Sequence, residues 1–210
     1  MSDLFYLQDS RSNTGSRAMF WRENGGYTSN LDEAEQFTRE RAVKQYESRD
    51  SDLPWPVEYV RARAEVGVDC QYLTRSEAQA YRNEDGRVYV AYAREWDGND
   101  LVWRGGSRPT SNLQDAIHPH ADDAAGYLGQ GFELWPCGYI AERSRPVVRA
   151  MRLDHKEALR SVGIKLPKLK PQKHRRQVYR CGFGMGGCGR FLRAVDVYTS
   201  CPHCGASNAP

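Results

Sequence analysis

Leu53-Pro54-Trp55-Pro56 followed by Tyr59-Val60 has a near echo in Glu133-Leu134-Trp135-Pro136 followed by Tyr139-Ile140. Working outward, an offset of 82 residues lays Phe20-Trp21-Arg22 on Val102-Trp103-Arg104 and Thr28-Ser29-Asn30-Leu31 on Thr110-Ser111-Asn112-Leu113, with Ala34 on Ala116. Between these and the tryptophan-proline pair the register slips by 2. Self-similarity at a nearly fixed spacing is the mark of a repeated structural unit. The spacing predicts a duplicated module of roughly 60 residues, Leu4 to Ala64 and Gly86 to Pro146.

Each copy reads as β-β-α-β. Phe5 to Gln8 and Ala18 to Trp21 are apolar runs around a polar stretch, which predicts a hairpin with a longer loop. In the second copy the pair is Arg87 to Trp96 and Asp100 to Trp103, joined at Asp97-Gly98, a strong turn signal. Asn30 caps a predicted turn through Leu31, Ala34 and Phe37, with a helix continuing to Tyr46 and stopped by Pro54 and Pro56. Val57 to Ala64 alternates loosely and is expected as a strand. Thr74 heads a short predicted helix, and Asp154-His155-Lys156-Glu157 has capping-box spacing ahead of Ala158, Leu159 and Val162, with Gly163 for the left-handed end. The expected organisation is α+β: a first module in 1–64, a connector in 65–85, a second module in 86–148, a helix and stiff basic linker in 149–172, and a small terminal unit in 173–210.

Mean hydropathy is −0.75, and no apolar run approaches the roughly 18 residues of a spanning helix. Met1 to Ser10 lacks the basic flank and apolar stretch of a signal peptide. A cytoplasmic protein that does not engage membrane is expected. Net charge is +3 over 210 residues, but it is unevenly spread. Residues 1–148 hold 17 Lys and Arg against 24 Asp and Glu, whereas residues 149–210 hold 13 against 3. An acidic body joined to a basic tail points to phosphates or acidic protein faces as partners.

Cys181, Cys188, Cys201 and Cys204 lie in the last 30 residues, and Cys188 and Cys204 are each followed by glycine. Four thiolates on two tight turns suit a tetrahedral, closed and therefore structural zinc site. The pattern resembles a zinc ribbon, although six residues separate Cys181 from Cys188 where ribbons use two to four. Two disulfides are the competing reading, disfavoured in a chain without a secretion signal. One structural zinc per chain is expected. His203 sits between two better ligands and is expected to point outward. Arg190 to Arg193 and Val195 to Tyr198 have strand-like composition.

Lys165, Lys168, Lys170, Lys173, Arg175, Arg176, Arg180, Arg190 and Arg193 form a run of cations with no acid before Asp196, interleaved with Tyr179, Phe183, Phe191 and Tyr198. Cations neutralise phosphates and aromatic faces stack on bases, so this segment is the candidate nucleic-acid or partner surface. Trp96 has no counterpart in the first copy and is a further candidate for a surface contact.

His118-Pro119-His120-Ala121-Asp122-Asp123 resembles part of the HxHxDH signature of metallo-β-lactamase-like hydrolases, with Asp123 replacing its last histidine. The repeat lays this segment on Gln36 to Arg41, which has no comparable ligands, so His118, His120 and Asp122 are not expected to be catalytic. No nucleophile elbow and no phosphate-binding loop is present, and no small-molecule substrate is expected.

From Phe5-Tyr6-Leu7-Gln8-Asp9-Ser10-Arg11 through Phe20-Trp21 and Gly26-Tyr27-Thr28 to Leu53-Pro54-Trp55-Pro56, the chain resembles a set of uncharacterised phage and prophage proteins. That resemblance lends no catalytic residues and implies a phage accessory role in the host cytoplasm. Two functions are carried forward. One is a non-enzymatic zinc-ribbon protein that binds nucleic acid or a nucleoprotein complex. The other is a protein-binding inhibitor of a host defence complex, of the anti-CRISPR type.

Overall fold

The structure is a computed structural model, described here for residues 4–167, 179–182, 186–196 and 199–207. It is mixed α and β and falls into two compact units, residues 1–169 and 170–210.

In the first unit β1 (Leu4–Thr14) turns at Gly15 and Ser16 into β2 (Arg17–Trp21), and β3 (Tyr27–Thr28) extends β2. β4 (Phe37–Thr38) pairs with the start of β1, and β5 (Asp52–Pro56) lies along its other edge with Tyr6 opposite Trp55. Phe5 and Leu7 pack on one face with Phe37 and Ala42, and Tyr6 points to the other with Phe20 and Trp55. That is the period of 2 that a strand buried on both faces requires. The polar stretch expected as a loop is paired strand almost to its end, because β1 runs on to Thr14. Phe37 is likewise strand, and the helix α1 (Arg39–Ser48) begins after Thr38, whose side chain accepts the Arg41 amide.

Pro54 and Pro56 sit inside β5, which pairs on one side only. An edge strand has a row of N–H positions with no ladder partner, so proline costs it nothing there. Val57 to Ala64, expected as a strand, instead starts with the short helix α2 (Val57–Arg61). The loose alternation concealed a single turn that buries Val57, Tyr59 and Val60.

A second sheet repeats the order. β7 (Val88–Asp97) turns at Gly98 and Asn99 into β8 (Asp100–Arg104), β9 (Pro109–Thr110) extends β8, and β10 (Phe132–Pro136) lies on the other edge of β7 with Tyr89 opposite Trp135. The pairing register breaks between Gln8 and Asn13 in the first hairpin and between Ala91 and Trp96 in the second. Trp103 faces Ala91 and Thr110 as Phe20 faces Gln8 and Thr28. Trp103 therefore stands where Phe20 does. The 82-residue offset that matched it to Trp21 is one residue out inside the hairpin, and one residue exchanges the faces of a strand.

Residues 65–85, expected as a connector, hold the strand β6 (Glu65–Val68), a 3-10 turn at Cys70–Tyr72 and the helix α3 (Arg75–Ala80). The same succession closes the unit: helix α5 (Cys137–Ala141), β11 (Ser144–Val147), a 3-10 turn at Ala150–Arg152 and α6 (His155–Ser161), with the short helix α4 (Ala121–Ala124) earlier in the loop before β10. Asp154 caps α6 by accepting the Lys156 and Glu157 amides, and Gly163 is left-handed at φ 67°. β6 and β11 pair antiparallel, with Val66 opposite Pro146. Ala78 of α3 lies in one core with Trp103, Trp135 and Tyr139, and Ala158 of α6 lies in another with Phe20, Trp55 and Tyr59. Thus α3 packs on the second sheet and α6 on the first.

Between the two cores lies a buried charge network that no motif announced. Arg17 donates to Glu65 at 2.9 Å and to Asp100 at 2.8 Å; Arg145 reaches Asp100 at 2.5 Å and Asp69 at 3.2 Å; Arg149 reaches Glu65 at 2.9 Å. Asp97 accepts from the Ser16 amide and from the Ser16 and Ser111 hydroxyls. Buried ions at this depth persist only when paired and hydrogen-bonded throughout.

Candidate metal centre

In the second unit β12 (Tyr179–Arg180) pairs antiparallel with β13 (Phe191–Leu192). The hairpin brings its two ends together at the first cysteine turn: the Cys181 amide donates to the Arg190 carbonyl at 2.9 Å, and the Gly189 amide to the Cys181 carbonyl at 3.2 Å. Gly186 and Gly189 are left-handed at φ 83° and 70°, a conformation glycine adopts without steric cost. A Cβ on Gly187 would stand 2.8 Å from the Cys181 sulfur, so that position closes on the thiol only without a side chain.

The second turn is tighter. The Gly205 amide donates to the Cys201 carbonyl at 2.8 Å, the Cys201 amide donates to the Ala206 carbonyl at 2.8 Å, and Gly205 is left-handed at φ 71°. A bridge between Ser200 and Ser207 ties its base. Between the turns, Ala194–Asp196 is a 3-10 turn and not the start of a second strand. Asp196 accepts two hydrogen bonds from the Arg193 guanidinium at 2.7 and 3.1 Å, which favours a closed loop over an extended run.

All four sulfurs lie within 4.8 Å of one another. Cys181 and Cys204 stand 3.6 Å apart and Cys188 and Cys201 3.8 Å apart. A disulfide would need about 2.05 Å, whereas zinc–thiolate bonds of about 2.3 Å put the edges of a tetrahedron near 3.8 Å. The four cysteines therefore form a cluster able to hold a metal ion. Cys181 and Cys201 are buried, Cys188 and Cys204 exposed. Their protons are held unequally: the Ala206 amide brings the Cys204 thiol down to about 6, and burial pushes Cys181 up to about 12. Among the described residues this is the one group of three or more His, Cys, Asp or Glu side chains so arranged.

His203 is not part of the sulfur group, and its Nδ1 lies 3.5 Å from the Arg190 guanidinium. Of the predicted cations, Arg180 lies 4.3 Å above the ring of Phe191, which is 60% exposed. Arg193 is held by Asp196. Lys165 belongs to the first unit, beside Leu159, Gly163 and Ile164. Lys168, Lys170, Lys173, Arg175, Arg176, Phe183 and Tyr198 lie outside the described residues.

The histidine constellation does not gather. His118 packs on Tyr89 with ring centres 5.9 Å apart, while His120 stacks over Gly86 and pairs with Asp122 at 3.4 Å. His120 precedes α4 as Thr38 precedes α1, so both are helix caps and not positions inside a helix. Cys137 is an un-ionised thiol, raised by burial to about 11. Trp96 is half exposed at the end of β7. Among the described residues no helix is long and apolar enough to cross a membrane.

No protein-family model, no curated protein and no solved structure matches this chain.

Proposed function

We propose that this protein is a non-enzymatic nucleic-acid-binding protein in which one structural zinc, bound by Cys181, Cys188, Cys201 and Cys204, folds a basic C-terminal unit against which phosphates and bases dock. The observation that carries the reading is the four-sulfur cluster, with a cation-bearing aromatic face beside it: Arg180 covers one side of Phe191, and the ring keeps most of its surface exposed. A closed set of four thiolates leaves no open position for catalysis and supplies roughly 10–16 kcal/mol toward folding so small a unit. The segment between 165 and 193 adds nine cations, and 13 Lys and Arg against 3 acids in residues 149–210 give it the sign that nucleic acid requires.

We read residues 4–167 as an internal duplication with the two closing helices exchanged. Supporting it are the matched hairpins, the tyrosine-tryptophan pairs Tyr6–Trp55 and Tyr89–Trp135, and the like positions of Tyr59 and Tyr139. The resemblance to phage and prophage proteins favours a role in the cytoplasm of an infected host.

The test is purification with metal analysis, followed by a gel shift with single-stranded and duplex DNA and RNA across a salt series. About one zinc per chain and binding that weakens steeply with salt are expected. A zinc-loaded protein free of nucleic-acid affinity that instead captures a host defence complex, with and without nuclease, would replace this reading by the inhibitor one.

A further inference from the structure

The two halves meet in a relation that their sequences do not suggest. β6 and β11 pair with Val66 opposite Pro146, so Glu65 faces Val147 and Gly67 faces Arg145. Counted from the Val66–Pro146 pair, Glu65 and Arg145 occupy like places. Arg17 bridges to Arg149 as Asp100 bridges to Asp69. The hairpin turns also touch, since a Cβ on Gly98 would strike the Thr14 carbonyl at 2.5 Å and one on Gly15 would strike Gly98. These contacts lie about one approximate two-fold axis. The closing helices obey it too. The Thr74 amide donates to the Tyr139 hydroxyl at 2.8 Å and the Asp154 amide to the Tyr59 hydroxyl at 3.3 Å; Tyr139 donates to Glu77 at 3.1 Å and Tyr59 to Glu157 at 2.9 Å.

At the axis the equivalent positions carry opposite charge. Arg17 corresponds to Asp100, Glu65 to Arg145 and Asp69 to Arg149. Each contact between halves joins opposite signs: Arg17 to Asp100, Glu65 to Arg149, Asp69 to Arg145. Two copies of the first half arranged alike would set Arg17 on Arg17 and Asp69 on Glu65. Two copies of the second would set Asp100 on Asp100 and Arg145 on Arg149. Like charges at buried positions are a strong device against the wrong partner.

We infer that this surface is a charge-coded, heterotypic interface: each half accepts a partner half carrying the opposite charge at these three positions and rejects a half of its own kind. The partner it fits is the other half of the same chain. The inference rests on the duplication reading, which a crystal structure tests separately by whether residues 4–61 superpose on 87–141.

The experiment uses the full chain in three variants. The first reverses Arg17→Asp, Glu65→Arg and Asp69→Arg; the second reverses Asp100→Arg, Arg145→Glu and Arg149→Asp; the third carries all six. Each triple variant alone should lose on the order of 100-fold in folded population at a fixed urea concentration. The sextuple variant should regain most of it. Co-expressed, the two triple variants should form a mixed two-chain species by exchange of halves, visible by light scattering, that neither forms alone. Triple variants as stable as the parent chain, or a sextuple variant no better than the triples, would overturn the charge code, even where the halves superpose.

Discussion

Arg17 donates its Nε to Asp100 Oδ2 at 2.8 Å, and each of these side chains is only 1% exposed. The pair spans 83 residues of sequence and joins the two halves at their centre. Arg17 also holds Glu65 and the Ser111 carbonyl. Replacing it with Met leaves two carboxylates buried beside each other without their shared cation. The expected loss is about 3–5 kcal/mol in urea unfolding of the first unit, as for other broken buried pairs. A loss below about 1 kcal/mol, the range of surface pairs, would show that the network does not hold the halves together.

The same network sets the acid limit of stability. Burial acts to raise the Glu65 and Asp97 carboxyls, but hydrogen bonds from Arg17 and Arg149 to Glu65, and from Ser16 and Ser111 to Asp97, outweigh it and hold both below their ordinary 4.5 and 3.8. A carboxyl depressed in the folded state adds stability above its unfolded value and loses it as pH falls through the folded one. Unfolding free energy should therefore stay level above these ordinary values and decline progressively below them. A chain carrying Glu65→Gln and Asp97→Asn should be less stable at neutral pH and should decline less steeply below 4.5.

Gly98 tests the contact of the hairpin turns. It is left-handed at φ 66°, and a Cβ there meets the Thr14 carbonyl at 2.5 Å, whereas Gly129, at φ 81°, has open space around it. Gly129→Ala should cost only the left-handed penalty of about 1–2 kcal/mol. Gly98→Ala should cost clearly more, measured by thermal melting of the two variants side by side.

Much of this was legible from the residues alone. Trp55 and Trp135 sit opposite Tyr6 and Tyr89 in the two sheets, as the matched indole-proline pairs of the sequence led us to expect. The four cysteines announced their cluster because thiolate spacing is read directly. The places that misled are those where tertiary context outranks local pattern. Pro54 and Pro56 looked like a stop and lie in an edge strand, and Val57 to Arg61 looked like alternation and is one helical turn. Trp103 matched Trp21 by letter and Phe20 by face, since the segment from Phe20 to its partner Thr28 is one residue longer than that from Trp103 to its partner Thr110, a difference no local pattern displays. Arg17, Asp100 and Arg145 belong to no motif in the sequence. Their burial comes from two halves meeting, which no local window contains.

Phe191 is the sharpest probe of the proposed binding face. Its ring is exposed and backed by Arg180 at 4.3 Å. Phe191→Ala should weaken binding to single-stranded nucleic acid by about 1–3 kcal/mol, the worth of one stacked base. The slope against salt should stay unchanged, because no cation is removed. Replacing Lys173, Arg175 and Arg176 with Ala should do the opposite and flatten the slope.

Cys201→Ser tests the metal. It should remove about one equivalent of zinc, and the second unit should lose its ordered structure if, as proposed, metal binding supplies its folding energy. The melting of residues 1–169 should be unaffected, since that unit has its own cores. An ordered second unit without metal would refute the structural role of the cluster.

The most direct measurement is fluorescence anisotropy of a labelled single-stranded oligonucleotide titrated with the zinc-loaded full chain over a series of salt concentrations. The account predicts saturable binding whose log K falls against log salt with a slope of about −3 or steeper, equivalent to at least about four phosphate contacts at roughly −0.7 each, and predicts that Cys201→Ser abolishes it. Absence of binding at the lowest salt, or binding that the Cys201→Ser chain retains in full, would contradict it.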